Sequence, residues 1–116
     1  MPRAEIERSV DDIEARLRAH ADPARAAGQR AYLKSDLAFL GCPVPLIRTI
    51  TRAWLKEQPP LTREVLTNLV PVLWARNVHE LRGVALVLLE RHARLLTSED
   101  IALIERAGQR AASLTR

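Results

Sequence analysis

The chain has 116 residues, of which 47% are apolar and 28% are charged, and it carries a formal net charge of +4 at pH 7. That length and balance predict one soluble globular domain over residues 1–116. The single Cys42 excludes an intrachain disulfide, and no run of about 18 apolar residues predicts a membrane span, so a cytoplasmic protein without membrane contact is expected.

The first third of the chain predicts two helices. Apolar residues recur every three or four positions from Arg3 to His20, which is the spacing of one buried helix stripe. They are Ile6, Val10, Ile13 and Leu17. Asp22 is expected to cap a second helix that begins at Pro23 and reaches Lys34, because proline lacks only an N–H that the first turn leaves unpaired.

The middle of the chain predicts two more helices separated by prolines. After Gly41-Cys42-Pro43, a third helix is expected to place its apolar residues on one face. They are Leu46, Ile47, Ile50, Ala53 and Trp54. Pro59-Pro60 ends that helix, and Thr62 is expected to cap a fourth helix that continues to Arg76. Pro71 lies inside the fourth helix, so a kink or a break is expected there.

The last third predicts a fifth and a sixth helix. Asn77 followed by Glu80 three residues later has the pattern of a capping box at the start of the fifth helix. The segment 84–89 is apolar on nearly every side, so the fifth helix is expected to lie at the centre of the fold. Thr97 or Ser98 is expected to cap the sixth helix, with the acidic residues that follow stabilising its positive end.

Six helices in succession, with no alternating strand pattern, predict an all-α protein. Helix pairs of about 35–45 residues have the period of HEAT or armadillo units. The expected architecture is therefore a right-handed stack of antiparallel helix pairs, a HEAT-like α-solenoid of about six helices, because each pair alone leaves an apolar face uncovered. A compact orthogonal helical bundle is the alternative, since the sequence has no strict repeat.

Three segments carry a resemblance to a known family. They are Tyr32-Leu33-Lys34 followed by Phe39-Leu40-Gly41, then Pro45 to Arg48, and then Leu73-Trp74 with His79 to Leu86. In that order and spacing they resemble the DNA alkylation-repair glycosylases built from HEAT-like repeats, over about residues 24–105. The resemblance implies a basic surface that holds double-stranded DNA by its backbone. In complete members it also implies excision of a cationic alkylated base without a metal or organic cofactor.

The chain departs from that family in two places. Members usually continue after the sixth helix into a Trp-Trp-Asp or Trp-Ala-x-Val-Asp segment, whose residues flank the damaged nucleotide. Here the sequence from Gly108 to Arg116 has neither tryptophan nor aspartate, and Val87 stands where many members carry an acidic residue. A truncated or degenerate relative, or a fragment, is therefore expected, and no catalytic residue is assigned.

Basic residues of the third helix form the expected DNA-binding site. Arg48, Arg52 and Lys56 follow one another at four-residue steps, so they form one ridge on the face opposite the apolar residues. Lys34 and Tyr32 are expected to join that ridge at the adjoining helix end. A ridge of this kind can track phosphates along a nucleic-acid backbone. The alternative is an ordinary solvated helix face.

The other basic and aromatic residues are expected to have structural roles. Dispersed arginines are expected to pair with nearby carboxylates on the surface, and contact with nucleic acid is the alternative for a minority of them. They are Arg76, Arg82, Arg91, Arg94, Arg106 and Arg110. Trp54 and Trp74 are expected in the core, with stacking on nucleic-acid bases as the alternative. Tyr32 and Phe39 are expected to fill the helix junction. The three histidines are far apart in sequence, so neither a metal nor a cofactor is expected.

Two functions follow as alternatives. The first is a DNA-binding helical-repeat protein whose partner is double-stranded DNA, contacted through its backbone. The second is a non-catalytic interaction scaffold that forms a homodimer through the exposed face of its last helix. The apolar residues of that helix are Ile101, Leu103, Ile104 and Leu114. A remnant without function is a third alternative.

Overall fold

The computed structural model describes the backbone of residues 2–114 and the side chains of residues 2–106. Its helices are α1 (Arg3–Arg18), α2 (Pro23–Leu33), α3 (Val44–Lys56), α4 (Arg63–Ala75), α5 (His79–Arg91) and α6 (Ser98–Leu114), with a short 3₁₀ helix at Ala93–Leu95. The predicted all-α class with six helices is confirmed. Within the described residues, no helix has the length and apolarity needed to cross a bilayer.

Three pairs of helices that are two positions apart in the chain pack together, namely α1 with α3, α3 with α5 and α4 with α6. α3 packs against α1 and α5, while α4 packs against α6, α5 and α1. The right-handed solenoid itself stays a prediction.

The core contains the apolar stripes that the spacing predicted. All four stripe residues of α1 are buried, and α5 lies centrally between α1, α3 and α4. On α3, Ile47 and Trp54 mark the centre of the buried stripe. The prediction for Ala53 was wrong: it is exposed, and Thr51 is buried in its place. At 3.6 residues per turn, Ala53 falls about 110° from the stripe centre and Thr51 only about 50° from it.

α4 continues through Pro71 without a break, from its first residue to its last. Of the two expectations at Pro71, the break was wrong and the kink stays a prediction. A proline in a helix interior costs about 3 kcal/mol, and the packing of α4 against three neighbouring helices compensates for the lost hydrogen bond. The N-cap was predicted correctly, because the Thr62 hydroxyl accepts the N–H of Val65 at 3.2 Å.

Glu80 accepts hydrogen bonds from a loop that is far from its own helix in the sequence. The N-cap of α5 is Val78, which makes no side-chain cap bond, and Asn77 has a left-handed φ of 56°. The predicted capping box was therefore wrong. Glu80 is fully buried, and its carboxylate accepts the backbone N–H groups of residues 40–42 at 2.9, 3.1 and 3.2 Å. Buried N–H groups need acceptors, and by accepting these three Glu80 holds the loop before α3 against α5.

A reciprocal capping box does occur, at the start of α6. The Thr97 hydroxyl accepts the N–H of Asp100 at 3.3 Å, and the Asp100 carboxylate accepts the N–H of Thr97 at 3.0 Å. Thr97 is thus one of the two predicted caps. The same carboxylate also accepts hydrogen bonds from Nε and Nη2 of Arg63, the one from Nε at 2.7 Å. These contacts join the first turn of α4 to the first turn of α6.

α2 is attached to the rest of the fold mainly at its first turn. Asp22 caps it as predicted, accepting the N–H of Arg25 at 3.1 Å, and Ala26 is the one buried side chain of this helix. Gly41 lies directly against this turn, since a Cβ atom there would fall 2.1 Å from the Asp22 carbonyl oxygen. The φ of Gly41 is +85°, so glycine is needed for both its space and its backbone conformation.

Weak packing of α2 explains where its aromatic residue lies. Tyr32 is 86% exposed, so the expectation that it fills the helix junction was wrong. Phe39 is buried as predicted, and its ring stacks on His79 with centroids 4.8 Å apart. The difference arises because Phe39 lies in the loop that is pinned to α5, whereas Tyr32 lies near the end of α2.

Candidate nucleic-acid interface

A groove with a volume of about 300 Å³ lies between α3 and α5. Its α3 side is lined by Val44, Pro45, Arg48, Thr49 and Arg52, and its α5 side by Val87 and Arg91. Three guanidinium groups from two helices therefore share one groove, which makes it the strongest candidate for an anion-binding site.

Helix geometry brings these arginines together. Arg48 and Arg52 are one turn apart on α3 and so lie on the same side of that helix. Arg91 reaches the groove from the last turn of α5. The two helices approach closely at Gly83, where a Cβ atom would lie 3.3 Å from Cδ1 of Ile47. Glycine at this position thus helps to set the width of the groove.

The three arginines differ in their partners. Nη1 of Arg48 lies 3.2 Å from Oε2 of Glu90, and the two side chains are 49% and 59% exposed. Arg52 and Arg91 make no ion pair with any residue that the structure describes. Three cations against one carboxylate leave a net charge of +2 at the groove. An exposed pair contributes less than about 1 kcal/mol, so Arg48 can exchange Glu90 for another anion.

The predicted DNA-binding residues are exposed, but they do not all line this groove. Arg48 and Arg52 line it, whereas Lys56 and Lys34 do not. Lys56 is the last residue of α3, and Lys34 is the C-cap of α2 with a left-handed φ of 48°. The role of all four residues in DNA binding stays a prediction.

Arg91 lines the groove, although its sequence context did not mark it as a DNA-binding residue. Its context predicted a surface ion pair, yet the neighbouring Glu90 pairs with Arg48 instead. Arg91 follows Val87 by one helical turn, which places both on one side of α5. That spacing is visible in the sequence, but nothing local shows that this side of α5 faces α3.

Arg76 is engaged in an ion-pair network and is not available to a ligand. Its guanidinium lies 2.9 Å from Glu7, 2.7 Å from Asp11 and 3.3 Å from Glu14, all on α1. Arg76 was expected to form a surface ion pair, and it does. Its partners, however, lie on α1 near the start of the chain. The network ties the C-terminal end of α4 to α1.

The two tryptophans have different environments. Trp54 is 2% exposed, so its predicted core position is confirmed. Trp74 is only half-buried, and the guanidinium carbon of Arg82 lies 4.6 Å from its ring centroid. Arg82 also donates to Oδ1 of Asn77 at 2.8 Å. Neither tryptophan lies against the arginine groove, so neither is placed to stack on a nucleotide bound there.

A second groove, apolar and about 440 Å³ in volume, lies where α4, α5 and α6 meet. It is lined by Val70, Trp74, Leu86, Leu89, Ile101, Ile104 and Glu105. Leu86 and Ile101 are 52% and 47% exposed, whereas Ile104 is buried, contrary to its expected place on an exposed face. Leu103 is exposed outside the groove, and the predicted Leu114 lies outside the described side chains.

Cys42 belongs to the core. It is 1% exposed, and its Sγ lies 3.4 Å from the carbonyl oxygen of Leu17. Burial, and to a lesser extent the negative charge of Glu80, raises the pKa of the thiol above its usual value. The neutral thiol is a poor nucleophile. Among the described residues, no three His, Cys, Asp or Glu side chains are grouped to hold a metal ion.

Comparison with known proteins adds one finding. A family model described as DNA alkylation repair enzyme matches residues 13–114, which include both helices of the arginine groove. The searches of curated proteins and of solved structures found no match.

Proposed function

The chain belongs to the DNA alkylation repair enzyme family, and on that premise we propose that the groove between α3 and α5 binds the backbone of double-stranded DNA. The observation that carries this proposal is the convergence of Arg48, Arg52 and Arg91 in one groove. Guanidinium groups bind phosphate oxygens in a bidentate manner, which suits them to this ligand.

The two predicted lysines extend the proposed contact beyond the groove. Lys56 lies two turns beyond Arg48 on the same side of α3. Lys34 ends α2, which also carries Arg25 and Arg30 and has no acidic residue between positions 23 and 34. The exposed side of α2 therefore presents positive charge that attracts the same polyanion.

Base excision is not assigned to this groove. Cleavage of a glycosidic bond develops positive charge on the sugar, which a nearby carboxylate stabilises and a nearby guanidinium opposes. The described residues that line the groove include three arginines and no carboxylate. The groove therefore suits the DNA backbone rather than the reacting nucleotide.

Fluorescence anisotropy of a labelled duplex at two salt concentrations tests the proposal. The three groove arginines alone, each on one phosphate, give a slope of log affinity against log salt near −2.7, or about a 40-fold loss from about 50 to 200 mM salt, and contacts by the lysines make the slope steeper. Arg48→Glu combined with Arg52→Glu should abolish binding. Arg8→Glu combined with Arg94→Glu is the charge-matched control, because both side chains are exposed and lie outside the groove. No binding at low salt, or equal losses in both double variants, would overturn the proposal.

We propose self-association as a second function, because the apolar groove leaves Leu86 and Ile101 about half exposed. In a two-fold symmetric contact, each copy would cover these residues of the other. Sedimentation velocity over a range of concentrations should then detect a dimer that Leu86→Gln disrupts. Leu95→Gln, at another exposed leucine, is the control. A monomer at every concentration would contradict this function.

A further inference from the structure

Glu90 forms an ion pair with one of the three groove arginines. Its Oε2 atom accepts a hydrogen bond from Nη1 of Arg48 at 3.2 Å, across the interface between α5 and α3. Glu90 itself is not among the residues that line the groove, and its side chain is 59% exposed. Within the described part of the chain, this is the ion pair that engages a groove arginine.

We propose that Glu90 is a built-in competitor for the phosphate at Arg48, which lowers the affinity of the groove and is displaced when DNA binds. This inference rests on the proposed DNA-binding function. A phosphate that takes the guanidinium of Arg48 must separate it from Glu90. The freed carboxylate then repels the incoming backbone, because both carry negative charge.

Exposure of the pair indicates that its role is not mainly structural. About half of each side chain is in contact with solvent, and exposed ion pairs contribute little to stability. The loop before α3 is held to α5 by the buried carboxylate of Glu80, independently of Arg48. Removing the Glu90 charge should therefore leave the fold intact and change ligand affinity alone.

Glu90→Gln tests the proposal in the duplex titration. The variant should bind DNA about two- to five-fold more tightly at low salt, since it removes one exposed ion pair that binding must break. The gain should shrink at high salt because the competing charge is screened. Glu64→Gln, at an exposed carboxylate of α4 outside the groove, makes the same change in net charge and should leave affinity nearly unchanged.

A double-mutant cycle separates direct competition from a general field effect. The gain from Glu90→Gln should be smaller when Arg48 is already replaced by Gln, because only the repulsion between Glu90 and the DNA backbone then remains. An equal gain in both backgrounds, or an equal gain from Glu64→Gln, would overturn the proposal, as would weaker binding by Glu90→Gln. If the wild-type chain and Glu90→Gln both fail to bind DNA at low salt, the proposed function itself fails. If the wild-type chain binds and Glu90→Gln gains nothing, only the role of Glu90 fails.

Discussion

Replacing Glu80 should produce one of the largest losses of stability in this protein. Glu80 is fully buried on α5, and its two carboxylate oxygens accept three backbone N–H groups from the loop at residues 40–42. That loop leads into α3, so the carboxylate connects two helices that are not adjacent along the chain. Glu80→Ala would leave three buried donors without an acceptor.

The magnitude follows from those three bonds. An unsatisfied buried donor costs about 1–3 kcal/mol, so Glu80→Ala should lower the free energy of unfolding by about 3–6 kcal/mol once the loop has relaxed. Glu80→Gln should cost less, about 2–4 kcal/mol, because one amide oxygen can still accept two N–H groups while the NH₂ group faces the third donor. A domain of this size is stable by about 5–15 kcal/mol, so both losses are measurable.

Urea unfolding followed by circular dichroism is the suitable assay. Glu64→Ala is the control, since this exposed carboxylate in the first turn of α4 should contribute no more than about 1 kcal/mol through the helix dipole. A loss of less than about 1 kcal/mol for Glu80→Ala would contradict this expectation, because the cost of burying the carboxylate would then cancel its hydrogen bonds. An unchanged m-value would show that the unfolded state is the same in the variants.

Four further substitutions test the loop, α2, an ion pair and the groove. Gly41→Ala should destabilise the fold by more than about 2 kcal/mol in thermal unfolding, since its Cβ would collide with a backbone carbonyl at positive φ. Gly28→Ala, in a helix with open space around it, should instead stabilise by about 0.5–1 kcal/mol. The pKa of Asp100 is lowered mainly by the guanidinium bound to it, so the stability from this pair is present above about pH 4 and is lost as the pH falls below that. Asp100→Asn should therefore reduce the difference in urea midpoint between neutral and acid pH. Arg91→Glu should weaken DNA binding at least 10-fold at low salt, with Arg94→Glu as an inert control; equal affinities for the two would remove Arg91 from the site.

Features that depend on a few consecutive residues were predictable. The α1 stripe, the Asp22 and Thr62 caps and the sixth helix all follow from spacing within one or two helical turns. Family membership was also predictable, because its motifs keep their order along the chain. The errors at Asn77 and Tyr32 came from applying such local rules where long-range packing decided the outcome.

The sequence by itself determined the helices, their order and the family, since helical periodicity and capping act over three or four residues. Only the tertiary structure decided which charges meet. Glu80 binds a loop 40 residues away, and Glu90 pairs with Arg48 across 42 residues. Arg91 joins the groove only because α5 packs on α3. Long-range contacts depend on how apolar faces pack together, and one helix pattern is compatible with several such packings.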